Sequence, residues 1–173
     1  MLTMRTELLI LMVLASGIMV MAQTQTFTRD DVEYKLDLPS SQWQVIPRVD
    51  VHNHYEFVNG NDPANGYLRL RKIVVDSDTT GEKLFGRDEK WELQRLPGYV
   101  LCSECSGVSF KGELAGVVFA YEYVSAGRVI SGKIYYLQVD KHTFYVLNFT
   151  ASTEKFASLS NQFDVIARSF RMK

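Results

Sequence analysis

YVLNFTASTEKFASLSNQFDVIARSF, residues 145–170, carries two periodicities in one continuous run. Up to residue 151, the segment reads as the end of an alternating strand with aromatic side chains along it. Ser152 then offers an N-cap hydroxyl, and Glu154 places a negative charge in the first turn, where the helix dipole favours it. From there Phe156, Leu159, Phe163, Ile166 and Phe170 recur at steps of three and four, which makes one apolar stripe. The spacing predicts a strand that feeds a closing helix, packed back onto the sheet the strand belongs to.

Upstream of that run, residues 108–124, 128–139 and 143–151 read as three long alternating strands. They are separated by Ser125-Ala126-Gly127 and Asp140-Lys141-His142, connections short enough for hairpins. An antiparallel meander is expected. Before it, Thr79 and Glu82 have the spacing of a capping box, and residues 82–96 read as a helix with Leu84, Asp88 and Trp91 on one stripe, stopped by Pro97-Gly98. Further upstream, residues 32–38 (VEYKLDL), 43–46, 52–58 and 67–75 are short strands. Asn59 to Gly66 (NGNDPANG) supplies the turn chemistry between the last two. Strands, a helix, a meander and a final helix define an α+β fold in which helices flank an antiparallel sheet.

The chain has 173 residues, 46% of them hydrophobic and 12% aromatic, enough for one domain with a real core. Its 19 Lys and Arg against 20 Asp and Glu show no run of one sign, which removes nucleic acid from the expected partners. Residues 8–21, LLILMVLASGIMVM, hold no charge and fit the apolar core of a secretory signal better than a spanning helix of about 20 residues. Residues 1–22 are therefore expected to be a signal peptide, 23–31 a flexible joint, and 32–173 the domain. The alternative for 1–22 is an uncleaved membrane anchor, because Arg5 is its one basic side chain and Glu7 offsets it. Both versions put the domain outside the cytoplasm, periplasmic or extracellular.

The opening YKLDLPSSQW (34–43), the strand YLRLRKIVV (67–75) and the ending at 145–170 resemble the PsbP-like family. That resemblance implies an α/β/α sandwich around an antiparallel sheet. It also implies an accessory or binding role without catalysis, carried out through contact with a protein partner, and it supplies no catalytic residues.

Two clusters have chemistry in their spacing. Cys102 and Cys105 form a C-x-x-C pair, which in an oxidising compartment reads first as a local disulfide and otherwise as a redox pair or half a zinc site. Ser106 stands where a c-type haem would need His. His52, His54 and Glu56 alternate, so an extended HNHYE would project all three from one face, where a divalent metal is one occupant and water the other; His142 is a further ligand candidate from a loop. Asn148-Phe149-Thr150 matches a glycosylation sequon inside an expected strand. No other cofactor is called for, and no nucleophile motif appears.

Overall fold

The computed structural model describes residues 24–46, 55–76 and 78–173. Eleven strands and two helices follow in the order β1 (Gln25–Phe27), β2 (Tyr34–Leu38), β3 (Trp43–Ile46), β4 (Glu56–Asn59), β5 (Tyr67–Val74), α1 (Gly81–Trp91), β6 (Val100–Leu101), β7 (Val108–Lys111), β8 (Ala115–Ser125), β9 (Arg128–Gln138), β10 (Thr143–Ser152), α2 (Thr153–Ser169) and β11 (Arg171–Met172). The main sheet has the order β3-β4-β5-β10-β9-β8-β6, with β7 also on β8, and each pairing within it is antiparallel. A small sheet, β1-β2-β11, lies beside it.

The alternation of β10 sorts its side chains onto two cores. Tyr145, Leu147 and Phe149 join Leu159, Phe163, Ile166 and Phe170 of α2 and Tyr34, Leu36 and Leu38 of β2. Phe144 and Val146 face the other way, toward Leu84 and Phe85 of α1 and Ile73, Phe119 and Tyr136 of the sheet. One layer is thus α2 with the small sheet, the middle layer is the main sheet, and the third is α1. This is the α+β sandwich expected from the element pattern, with an apolar face of each helix turned to the sheet.

Several local expectations are corrected. The stretch 108–124 is two strands, β7 and β8, because the chain turns back at Gly112-Glu113-Leu114, where the Gly112 N–H donates to the Leu114 carbonyl. Part of the segment read as a flexible joint is strand β1, which pairs with β2 and buries Phe27. The N-cap of α1 is Thr80, whose side chain accepts from the Lys83 N–H, one residue later than Thr79. Ser152 caps α2 without a side-chain hydrogen bond. The β8–β9 hairpin turns on Ala126 and Gly127, both at positive φ (48° and 75°), the backbone of a two-residue turn that matches strand twist.

Trp91 does not join the buried stripe of α1 and is 56% exposed. Asp88, read on the same stripe, does turn inward and is 4% exposed. Asp88 bonds to Arg71 of β5, accepts from the Tyr136 hydroxyl of β9 at 2.8 Å, and pairs with Arg87 at 3.2 Å. These partners orient the helix, and residue 91 falls at the edge of its buried face, where Lys90 and Arg95 lie 5.3 Å and 5.7 Å from the indole ring.

Candidate functional site: a tyrosine-walled cleft on the uncovered half of the sheet

α1 covers only part of its face of the sheet. Cross-strand partners share a face, so the uncovered part can be followed row by row. One row runs Glu56, Arg69, Asn148, Ile134 across β4, β5, β10 and β9. The next runs Val58, Tyr67, Thr150, Gly132, Tyr121 and ends on β8. Above them lies a cleft of about 760 Å³. Leu93 and Leu96, following α1, line it, and the turn at Pro63 and Ala64 forms part of its wall. The β8–β9 hairpin, with Ser125, Ala126 and Arg128, lines it beside Leu96, the Val124 N–H donating to the Pro97 carbonyl at 2.7 Å.

A close approach shapes the floor. The Tyr121 ring crosses β9 at Gly132, where a Cβ would stand 2.4 Å from the Tyr121 Cζ, and its hydroxyl donates to Asn148 Oδ1 at 2.8 Å. Only a residue without a side chain lets the ring lie there. Tyr123 stacks beside it, with centroids 6.1 Å apart, and Tyr99 packs behind at 6.1 Å. Burial pushes the Tyr121 and Tyr123 hydroxyls up from their ordinary value of 10.0, so at neutral pH this wall carries neutral donors.

The charges are unevenly matched. Arg71 is held by Asp88 and by Glu92 at 3.0 Å. Arg69, two residues away on the same face of β5, and Arg128 at the hairpin make no ion pair among the described residues, although both line the cleft. Glu56 lies on the floor at 7% exposure, so it does not face water as a solvated strand would have it. Among the described residues, no His or Cys lines the cleft.

His52 and His54 lie outside the described residues, so of the expected metal face only Glu56 is placed. Among the described residues no three His, Cys, Asp or Glu side chains gather where they could hold a metal. His142 sits in the β9–β10 turn, its Nδ1 3.1 Å from the Val75 carbonyl. Glu56 stands opposite Arg69 in the strand register, and Arg69 is six residues from Val75 along its strand, about 20 Å away at strand rise. His142 is not a companion of Glu56. Cys102 and Cys105 are at disulfide distance, with Cα atoms 5.5 Å apart, in the β6–β7 connection and away from the cleft lining. Asn148 of the sequon is in mid-strand and faces the cleft. The signal-peptide residues lie outside the described residues; among those described, no helix is long and apolar enough to cross a membrane. Sequence reasoning did not single out Arg69 or Gly132, and it read Asn148 only as part of a sequon. They are distant in sequence and meet only through strand register.

The layer order and the closing helix define the class, an α+β sandwich whose fold is similar to that of PsbP. Among solved structures, the cyanobacterial PsbP of Synechocystis sp. PCC 6803 is similar with a TM-score of 0.62 and 12% identity, covering 91% of this chain and 96% of that one. LpqN of Mycobacterium tuberculosis, described as involved in cell envelope biogenesis, has a TM-score of 0.57 and 18% identity, covering 87% of this chain and 91% of its own. A variant of the protein Mog1 has a TM-score of 0.59 at 10% identity, covering 87% and 96%. At these identities the likeness is one of fold. No family model and no curated protein sequence matches the chain.

Proposed function

We propose that this chain is an exported accessory protein of the cell envelope that works by binding a protein partner and catalyses no reaction. The cleft carries this reading. It is a formed, tyrosine-walled concavity on the face of the main sheet, rich in hydrogen-bond donors, and among the described residues its lining offers neither a nucleophile with a base nor a thiol. Export is supported by the uncharged apolar run at 8–21 and by a cysteine pair at disulfide distance, which suits an oxidising compartment. The envelope setting is what the LpqN likeness suggests.

Site-specific photocrosslinking in the source cell tests it. A benzoylphenylalanine replacing Tyr123, on the cleft wall, should give one discrete cross-linked partner in the envelope fraction. The same group replacing Val165, exposed on α2, should give none. Equal products from both positions, or none from Tyr123, sink the proposal.

A further inference from the structure

The geometry points to the cleft as a binding site for an organic anion, a carboxylate or phosphate on a flat apolar body, with Arg69 as the residue that takes the charge. This rests on the reading of the cleft as a binding site and goes beyond the protein partner by giving the cleft a small-molecule ligand as well.

The contrast between neighbouring arginines is the main observation. Arg71 and Arg69 leave the same face of β5, yet Arg71 is saturated by Asp88 and Glu92 while Arg69 has no ion pair among the described residues. A guanidinium presents five N–H donors in a planar fork that matches carboxylate and phosphate oxygens two at a time. The neighbours of Arg69 do not use up that capacity. Asn148, its partner in β10, has its carbonyl oxygen engaged by the Tyr121 hydroxyl. Glu56, its neighbour in β4, is buried in the floor, whereas Arg69 is exposed, so an incoming anion reaches the fork from the open side of the cleft.

The remaining surface fits the body of such a molecule. Tyr121 and Tyr123 present near-parallel rings, inclined by 24°, and Leu93, Leu96 and Ile130 complete an apolar wall. Because the tyrosines stay protonated, they add no negative charge to oppose the ligand. A volume of about 760 Å³ is that of a small-molecule site, for which roughly 300–1,000 Å³ is typical. Arg128 lies six residues along β9 from Ile134, the residue in the Arg69 row, so a second cation stands about 20 Å away at the hairpin end. An anion seated at Arg69 therefore has room for its body over the tyrosines before Arg128 is reached.

The test is fluorescence titration of the mature protein with anilinonaphthalene sulfonate, a flat apolar anion, and with phenylnaphthylamine, which has the same rings and no charge. Arg69→Gln and Arg69→Lys are titrated alongside, with circular dichroism and thermal melting to show that each variant is folded. Saturable binding of one sulfonate probe is expected, with weaker binding of the uncharged one. Loss of one charge-assisted contact should weaken the sulfonate about tenfold or more in Arg69→Gln and less in Arg69→Lys. Competition by phenylacetate identifies a carboxylate ligand, and competition by phenyl phosphate a phosphate one. Equal affinity for the two probes, unchanged affinity in Arg69→Gln, or no saturable binding overturns the inference. Partner cross-linking at Tyr123 uses no anion, so the accessory role and the anion site fail or stand separately.

Discussion

Gly132 shows how one missing side chain shapes a site. The Tyr121 ring occupies the volume a Cβ would need, and from there its hydroxyl reaches Asn148 on the next strand. Gly132→Ala should displace the ring, break that hydrogen bond and narrow the cleft, at about 1–3 kcal/mol measured by urea denaturation. Asn148→Leu would leave a buried tyrosine hydroxyl without its acceptor, and a melting midpoint lowered by about 1–3 kcal/mol equivalent is expected. Both residues are visible in the sequence as an unremarkable glycine in a strand and an asparagine in a sequon. Their shared role is invisible there, because their contact depends on the register of β8, β9 and β10.

At the level of elements, α1 is held as much by a buried charge as by its two apolar anchors. Leu84 and Phe85 pack on the sheet, the latter stacked on Phe119 at 3.7 Å, but Asp88 is the group that bridges to both β5 and β9. Asp88→Ala removes the counter-charge from a half-buried Arg71 and should cost about 3 kcal/mol, measured by chemical denaturation. Pairing it with Arg71→Met should recover part of that loss, because the uncompensated charge goes too; a double mutant as unstable as the sum of the single ones would contradict this account. The Cys102–Cys105 link closes a very short loop, so reducing it should cost about 2 kcal/mol or less. A larger loss on treatment with a thiol reductant would mean that the β6–β7 connection does more than tether itself.

Across the whole molecule, the small sheet is tied to the main one by charge as well as by the core. Glu33, next to β2, bonds to Lys72 of β5 and accepts from the Tyr145 hydroxyl of β10. The Lys72 bond first, and the Tyr145 bond second, hold the Glu33 carboxyl below its ordinary value of 4.5. A carboxylate lowered in the folded state contributes stability that is complete above its unfolded value and is lost as pH falls through its folded one. Thermal stability should therefore decline as pH drops below about 4.5, and Glu33→Gln should flatten that part of the profile. An unchanged acid limb in the variant would assign the decline to other carboxylates, of which Asp37, paired with Arg171 of β11, is the nearest in kind.

The sequence by itself determined the α+β class, the closing strand and helix, the hairpin positions and the separation of apolar faces, because alternation and the helical period are local and survive in a one-dimensional reading. Trp91 marks its limit: hydrophobicity put the indole inside with Leu84 and Asp88, whereas of the three only Leu84 and Asp88 are buried, the carboxylate by its partners on two strands. Thr80 replaced Thr79 as cap, and the break at Gly112-Glu113-Leu114 divided one apparent strand, both by backbone choices that adjacent residue types leave open. Only the tertiary structure placed Arg69, Asn148, Gly132 and Tyr121 around one cleft and left Arg69 without a counter-charge among the described residues. Cross-strand register is a long-range property, set by which strands pair and in what phase, and no local pattern records it.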